Sequence, residues 1–525
     1  MDLISSLSIA TSGLNAIESE LSVTSQNVSN SGTAGYVSET ATISSDVPGG
    51  LRNGVRIGAT QLSINQALQS ALYGQNAQVA SYSTMSNSLA AVSAVQGSTS
   101  SDSGSTNTLS DDLGNVQNAL TELTANPLDS ASQSTVISNA QSLTTAIHTL
   151  ATTYASQRQT AQDNVASTVS SVNSDLTQIG VLSKQIMNLK AIGSDTADLE
   201  NQRLGIMSDL SSQLSVTFST TANGDMIVRT ADGTELPTRP DQIGGNDSSE
   251  TLPSSTWPLS TSDATVTSDM YYAAGNAGST IPGIMLAGTD VTAHLTGGTL
   301  GANVTLRDDT YPQMQAQLDS FSYTLINRFN NAGLSLFTNS TDATGTTVPQ
   351  SSNPTQETPN GIVGLSSAIG VSRIYADTPS LLTTTTNGTT GATTTGDTTI
   401  ITNVLSQAFG TGSNDVSQSA GLAAPSSGLG PDGSQSTGYN GNQGLLALAT
   451  TLTSAQGATI STASDNLTSA TSVQTTLQTS VSNVSGVNVD DEMSKVVALQ
   501  NAYTANAKVV SAVQNMFTAL LDAIN

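Results

Sequence analysis

The 525-residue sequence contains no cysteine, which excludes disulfides, thiol catalysis and cysteine-ligated zinc. Charged residues make up only 10% of the chain and aromatic residues 3%, and 13 basic residues face 39 acidic ones. The net charge of −26 repels phosphate groups, so we expect neither nucleic-acid binding nor attraction to anionic lipid. No apolar run approaches the roughly 18 residues of a membrane span, so we also expect no membrane insertion.

Signals for catalysis and targeting are equally scarce. His148 and His294 have no partner at metal-ligand spacing, and no nucleophile-elbow, P-loop or EF-hand pattern occurs. Acidic residues at 308–309 and 490–492 are interpreted as a turn and a charged helix start. The N-terminus lacks the basic start and unbroken apolar run of a cleaved secretory signal. We therefore predict no enzyme activity, no metal and no cofactor.

The clearest pattern is an apolar stripe at each end of the chain. Its members recur at alternating steps of four and three residues, which is the spacing of a coiled-coil seam. Asp2 and Asn488 are candidate N-caps for the two helices. The stripes contain Leu3, Leu7, Leu14, Ile17, Leu21 and Val28 near the N-terminus, and Met493, Val496, Tyr503, Val510, Phe517, Leu521 and Ile524 near the C-terminus.

Two interpretations of these stripes are open. The plain one is a helical pair formed within one chain. The other is a surface for self-assembly, because short helices are marginal alone in water and both stripes are diluted by alanine, threonine and glutamine. On this second interpretation we expect the terminal helices to be poorly ordered in an isolated subunit and to order when neighbouring subunits cover them.

Between the stripes the pattern alternates between helical and β-prone stretches. Residues 60–214 and 444–484 are predicted to be mostly helical, with a loop at 97–107 and a further helix over 311–333. Residues 215–237 carry the hairpin dipeptides Asn-Gly and Asp-Gly and predict a β-meander, and β-prone sequence continues to about residue 307. Residues 334–441 are β-prone or irregular, and the threonine-rich tract 383–399 is expected to be an exposed loop.

This order predicts a nested multidomain α+β fold. Paired N- and C-terminal coiled-coil helices would form a terminal domain from residues 1–45 and 485–525. A helical core domain built from both chain halves would use residues 46–214, 305–335 and 442–484. Inserted β-rich outer domains would follow from residues 215–304 and, as a β-rich or irregular unit, residues 336–441.

Both ends resemble a known group of proteins. Residues 12–36, SGLNAIESELSVTSQNVSNSGTAGY, are similar to the N-terminal signature of bacterial flagellar axial proteins of the rod, hook and hook-associated group. Residues 485–524 are similar to the matching C-terminal signature. Ala34 departs from the pattern, because proline is usual there. The matching positions are Gln26, Asn27, Asn30, Gly35 and Tyr36 at one end, and Gln500, Ala502, Tyr503, Ala505, Asn506 and Ala507 at the other.

Two internal stretches narrow the resemblance to the hook-associated protein 1 family, whose members are hook–filament junction subunits. Residues 198–228 are similar to that family's Asp-Gln-Arg helix and hairpin, although Asn201 stands where aspartate is usual. Residues 295–337 are similar to its Gly-x-Leu-Gly turn, Leu-Arg-Asp strand end and following helix. Residues 338–441 match nothing in it.

The resemblance implies a structural role in the flagellum, outside the cell. Such a subunit would pass through the flagellar type III export apparatus without a cleaved signal and would assemble through its terminal helices. Its partners would be copies of itself, other hook and hook-associated subunits, and an export chaperone. A hook or rod subunit is the nearest alternative, and a secreted threonine-rich adhesin or surface enzyme is the alternative of another class.

Overall fold

The computed structural model describes residues 3–33, 35–46, 54–97, 108–243, 252–275, 278–339, 362–386, 391–410 and 423–524. Most of this chain is helical. The helices are α1 (Leu3–Asn30), α2 (Gln66–Gln96), α3 (Leu109–Ala125), α4 (Ser130–Ala191), α5 (Ala197–Gln213), α6 (Gly298–Thr305), α7 (Tyr311–Asn331), α8 (Leu365–Ala368), α9 (Arg373–Asp377), α10 (Thr399–Gln407), α11 (Leu445–Ser485) and α12 (Val489–Ile524). Among the residues described, none of the helices combines the length and apolarity needed to cross a bilayer.

The strands are short and form small antiparallel ladders. They are β1 (Glu39–Thr40), β2 (Ile43–Asp46), β3 (Gly54–Ile57), β4 (Gln61–Leu62), β5 (Val216–Thr220), β6 (Met226–Thr230), β7 (Glu235–Leu236), β8 (Leu259–Ser260), β9 (Met285–Leu286), β10 (Thr289–Asp290), β11 (Phe337–Asn339), β12 (Ile369–Val371), β13 (Thr384–Thr386) and β14 (Thr393–Thr395). The described sheets have two or three strands, in the orders β5-β6-β7, β10-β9-β8, β1-β4, β2-β3, β11-β12 and β13-β14. These short ladders do not establish the β-rich outer domains that the sequence suggested.

The 62-residue helix α4 connects two hydrophobic cores. Its N-terminal half, from Val136 to Ala161, packs with α3, α7 and the start of α11. Its C-terminal half, from Val165 to Ile179, packs with α5, α6 and the β5-β6-β7 sheet. Helix α2 lies along α11, so helices from both halves of the chain pack together.

Several local expectations are confirmed. The Asn-Gly and Asp-Gly dipeptides turn the chain between β5, β6 and β7. The helix expected over 311–333 is α7. Asn488 caps α12, because its Oδ1 accepts the backbone N–H of Asp490 at 3.1 Å. Asp2 and most of the predicted loop at 97–107 lie outside the described residues.

Two local expectations are wrong. The segment expected to be β-prone up to residue 307 forms α6 and continues through a π-helical turn, Leu306–Thr310, into α7. Its glycines allow close packing, since a Cβ on Gly298 would lie 2.3 Å from the carbonyl carbon of Gln213. The threonine-rich tract expected to be an exposed loop contains the β13-β14 ladder instead, although the three residues of β14 are exposed as expected. In the first case buried tertiary contacts override the local turn preference.

Candidate assembly site on the terminal helices

Helices α1 and α12 pack against each other in antiparallel orientation. Near the start of α1, a Cβ on Gly13 would lie 3.5 Å from the Asn506 amide nitrogen. Near its end, the Asn27 side chain approaches Glu492, at the start of α12. The β2-β3 hairpin crosses the other side of α1, where the Val55 N–H donates to Ser12 Oγ at 3.2 Å.

This pairing buries small and polar side chains most deeply. Ala10, Ala16, Thr24 and Asn27 are the buried residues of α1, and Glu492 and Val513 are those of α12. Of the α1 stripe, Leu7, Leu14, Ile17, Leu21 and Val28 are half-buried. Of the α12 stripe, Val496, Val510 and Phe517 are half-buried, whereas Met493, Tyr503 and Leu521 are exposed. The side chains of Leu3 and Ile524 lie outside the described residues.

The residues of α12 that face α1, which we call its inward line, are one residue out of phase with part of the predicted stripe. The inward line contains a series spaced seven residues apart, Glu492, Leu499, Asn506 and Val513, together with Val496, Val510 and Phe517. The predicted positions beginning at Met493 lie one residue further on, and a helix turns by about 100° per residue. They therefore fall on a flank of the pair.

Helix α12 carries an exposed apolar surface on both flanks of this inward line. Val489, Met493 and Val497 lie on one flank of its N-terminal half, and Val509, Met516 and Leu520 lie on the other flank of its C-terminal half. All six side chains are between 40% and 55% exposed. We call these six residues the flank surface. Single exposed apolar side chains are ordinary, but a series along one helix indicates a surface that another element covers.

The N-terminal family motif forms a buried hydrogen-bond hub. Asn27 is 1% exposed. Its Nδ2 donates to the Glu39 carbonyl at 2.8 Å and, at 3.4 Å, to Glu492 Oε2. Its Oδ1 accepts the Glu39 N–H at 2.9 Å and the Tyr36 hydroxyl at 3.1 Å. One amide thus uses its full hydrogen-bonding capacity to hold the end of α1, the following turn and the start of α12.

The turn after α1 brings the remaining motif residues to this hub. Gly35 adopts a left-handed φ of 77°, and Tyr36 follows it. Burial and the nearby Glu39 raise the pKa of Tyr36 to about 12, so its hydroxyl remains a donor at neutral pH. Asn30 and Gln26 are half-buried, and Gln26 donates to Asp198 of α5. Ala34, where the family usually has proline, lies outside the described residues.

Asn201 of α5 clamps the same segment from the opposite side. Its Oδ1 accepts the Val37 N–H at 3.0 Å, and its Nδ2 donates to the Val37 carbonyl at 3.0 Å and to Glu39 Oε1 at 2.7 Å. Burial raises the pKa of Glu39, and the Asn201 amide opposes this by donating to its carboxylate. An aspartate at this position would place a second carboxylate against Glu39, which explains why asparagine suits this chain.

The C-terminal motif lies along α12 with mixed exposure. Asn506 is half-buried against Gly13, and Ala502 and Ala507 are also half-buried. Gln500, Tyr503 and Ala505 are exposed. The N-terminal motif therefore makes contacts inside the chain, whereas half of the C-terminal motif points to solvent.

Sequence reasoning missed three residues of this site. Glu39 and Ser485 carry no local signal, yet Glu39 meets Asn27 and Asn201, and the Ser485 carbonyl accepts the Ser38 N–H at 2.8 Å. Glu492 was interpreted only as a charge at a helix start. It is 5% exposed and pairs with Lys495 at 2.6 Å.

The other polar candidates make ordinary structural contacts. His148 Nε2 lies 2.6 Å from the Ile369 carbonyl, and His294 contacts Asp232 on the β6-β7 turn. Asp308 pairs with Arg307 at 2.7 Å within the π-helical turn. Within the described part of the chain, no group of three or more histidine, aspartate or glutamate side chains is placed to hold a metal ion.

Comparison with known proteins adds the following matches. A family model for the flagellar hook-associated protein FlgK helical domain matches residues 98–345, and one for the flagellar basal body rod FlgEFG protein C-terminal region matches residues 478–523. Flagellar hook-associated protein 1 of Salmonella typhimurium (strain LT2) and that of Salmonella typhi are each 25% identical over 571 residues, covering 98% of this chain and 98% of the relative. The solved structure of the flagellar hook junction protein FlgK from Burkholderia pseudomallei aligns with 52% of this chain and 45% of its own, at 25% identity and a TM-score of 0.39.

Proposed function

We propose that this chain, a member of the flagellar hook-associated protein 1 family, joins the hook to the filament and is incorporated there through its terminal helices. The family is one of structural, hook-associated components of the flagellum that contact other axial proteins. The position at the hook–filament junction and the assembly through α1 and α12 are the proposal itself.

One observation carries the proposal. Sixteen large hydrophobic side chains of the described residues are exposed, and eight of them lie on α12. This helix supplies only 36 residues. Full burial of one such side chain contributes roughly 1.5–3 kcal/mol. A lone subunit forgoes the share of this stabilisation that belongs to the exposed part of each side chain, and covering α12 with neighbouring subunits would recover it.

The flank surface also specifies how neighbours would approach. Its two halves lie on opposite sides of the inward line, so one flat partner cannot cover both. We infer that each α12 contacts at least two neighbours, one at its N-terminal half and another at its C-terminal half. Met493 would meet the first, and Tyr503 and Leu521 would extend the covered area. The half-buried stripe residues of α1 would then support the pair from within.

The remaining expectations about this family stay part of the proposal. Residues 1–45 with 485–525 would form the terminal domain, and the helical core and outer segments would lie further from the axis of the assembly. Export through the flagellar type III apparatus without a cleaved signal, an export chaperone, and an extracellular position would follow from the proposed role. A structural role needs no catalytic residue and no cofactor.

Electron microscopy of cells lacking the gene, with the medium assayed for flagellin, tests the role directly. Hooks without filaments and flagellin lost to the medium are expected. Loss of hooks would assign the chain to the rod or hook instead, and normal filaments would refute the junction role. For the mechanism, Leu520→Asp should block incorporation while Gln514→Asp, an equal charge change at a polar exposed position of α12, should not. Normal incorporation of Leu520→Asp would contradict assembly through this surface.

A further inference from the structure

A groove of about 470 Å³ lies between β5 and the first turns of α2, with α5 as its floor. Leu62, Ile64 and Phe218 form half-buried apolar walls. None of the residues that line this groove belongs to the flank surface. Its size is within the range of clefts that bind small ligands or short peptide segments.

The groove runs along the open edge of a sheet. In the order β5-β6-β7, β5 is the edge strand, and it has no second partner among the strands that the structure describes. All five residues of β5 line the groove, and consecutive side chains of a strand point to opposite faces, so the groove follows the edge of the strand. Such an edge offers unpaired N–H and C=O groups to another extended chain.

The register shows which backbone groups face the groove. The Thr221 N–H donates to the Asp225 carbonyl at 2.9 Å, and antiparallel pairs alternate between bonded and non-bonded. Thr217 and Ser219 therefore bond to β6. Val216, Phe218 and Thr220 direct their backbone N–H and C=O groups outward to the free edge.

A buried guanidinium that makes no ion pair within the described part of the chain also lines the groove. Arg203 is 4% exposed, and its Nη1 donates to Ser183 Oγ at 3.1 Å and to the Gly224 carbonyl at 2.8 Å. Among the described residues, no carboxylate lies within ion-pair distance of Arg203, and its Nε and Nη2 have no acceptor. Both nitrogens keep some contact with solvent, and Arg203 lines the groove.

The charged side chains nearest to Arg203 in the groove pair with each other. Lys190 and Glu200 also line the groove, but they pair with each other at 2.8 Å. Burial lowers the pKa of Arg203, and the negative charges of Glu200 and Asp225 partly offset this shift. Burying a guanidinium without a carboxylate in direct contact is costly, and an oxyanion brought into the groove would offset that cost through charge-assisted hydrogen bonds.

We propose that this groove binds an extended peptide segment of a partner protein, which pairs with the free edge of β5 and places a carboxylate on Arg203. The strand edge supplies main-chain hydrogen bonds, and the apolar walls receive alternate side chains of the peptide, as in other strand-addition complexes. Arg203 selects an acidic residue of the bound peptide, even though the protein that carries the groove is itself strongly acidic.

The test measures fluorescence polarisation of two labelled, amidated pentapeptides with the full chain. Thr-Val-Asp-Val-Thr carries the carboxylate, and Thr-Val-Asn-Val-Thr is its neutral match. The aspartate peptide should bind about tenfold more tightly. Arg203→Gln should remove this difference. Equal affinity of the two peptides for the unmodified protein would overturn the proposal.

A second pair of variants tests the strand edge without touching the buried arginine. Thr220→Pro removes an outward N–H and keeps the β5–β6 hydrogen bonds, so it should weaken the aspartate peptide about tenfold. Thr220→Val retains the N–H and should bind within about twofold of the unmodified protein. Equal binding by the two Thr220 variants would overturn strand pairing, and this comparison holds even where Arg203→Gln fails to fold.

Competition by free anions distinguishes a peptide-binding site from a simple anion site. Sodium phosphate or sodium acetate should displace the aspartate peptide no better than sodium chloride at the same ionic strength. Displacement by either salt at lower concentration than chloride would identify a simple anion site and overturn the peptide proposal.

Discussion

The terminal pair and the helical core use opposite kinds of side chain in their interiors. In the core, phenylalanine, leucine and isoleucine are fully enclosed, as at Phe321, Leu325 and Phe329. In the terminal pair, alanine, threonine and asparagine are the enclosed residues of α1, while large apolar side chains of α12 face solvent. The core is therefore complete within one chain. The terminal pair positions its large side chains for contacts that one chain does not make.

The largest expected effect comes from the core. Phe329 is fully buried, with ring centroids 4.9 Å from Phe337 and 5.9 Å from Phe409. Phe329→Ala should lower the free energy of unfolding by about 3–5 kcal/mol in urea titrations. Tyr503→Ala, at an exposed α12 position, is the matched truncation and should change it by less than about 0.5 kcal/mol. Similar losses for both variants would break the contrast between the two regions.

Disruption of the hydrogen-bond hub around Asn27 should have the next largest effect on stability. Asn27→Ala leaves the buried N–H and carbonyl of Glu39 without partners, which costs about 2 kcal/mol. Hydrogen exchange followed by mass spectrometry should show faster exchange in residues 36–40 and in the first turns of α12, with the core unchanged. Gln26→Ala removes one bond to Asp198 and serves as the milder control. Unchanged exchange in the Asn27→Ala variant would show that the hub does not hold the terminal pair.

Replacing Asn201 by aspartate, the residue expected there from the family resemblance, tests the contact between Asn201 and Glu39. Asn201→Asp places a carboxylate against Glu39 and removes two donated hydrogen bonds, so stability at pH 7 should fall by about 1–2 kcal/mol. The loss should shrink as the pH falls, because burial already raises the pKa of Glu39 and protonation of either carboxyl removes the repulsion. Urea titrations of Asn201→Asp with and without Glu39→Gln measure the coupling. Additive effects would rule out direct repulsion.

A smaller effect is expected from a carboxyl group inside the core region. Burial, together with Asp209, raises the pKa of Asp175 to about 6, although Gln213 donates to it at 2.8 Å. A carboxyl group whose pKa is raised in the fold contributes stability that is full below about pH 4 and is lost as the pH rises through about 6. Asp175→Asn should therefore be more stable than the unmodified protein at pH 7.5, by at most about 1 kcal/mol because the group is partly exposed.

Thermal melts at two pH values check this last prediction. Asp175→Asn and the unmodified protein should melt together at about pH 4 and separate at pH 7.5. The asparagine also brings an N–H near Gln213 Oε1, which is buried without a donor among the described residues. Lower stability of Asp175→Asn at pH 7.5 would show that the carboxylate form is the preferred one.

The sequence by itself determined the helices at both ends, the β5-β6-β7 meander, α7 and the resemblance to flagellar hook-associated proteins. These features follow from local chemistry, namely apolar period, caps, Asn-Gly and Asp-Gly turns, and motif residues. The same signals failed at α6, where glycines with close backbone neighbours make a turn-like sequence helical, because packing distances do not appear in a linear pattern.

Only the tertiary structure decided which face of each terminal helix is buried. A heptad pattern states that a stripe exists, but both the predicted line and the line one residue earlier on α12 satisfy it in part. The choice depends on two contacts between distant parts of the chain, Gly13 facing Asn506 and Asn27 reaching Glu492, which lies 465 residues further on. The buried Arg203 beside an open strand edge has the same origin, since burial and missing partners are properties of folded space that residue order does not encode.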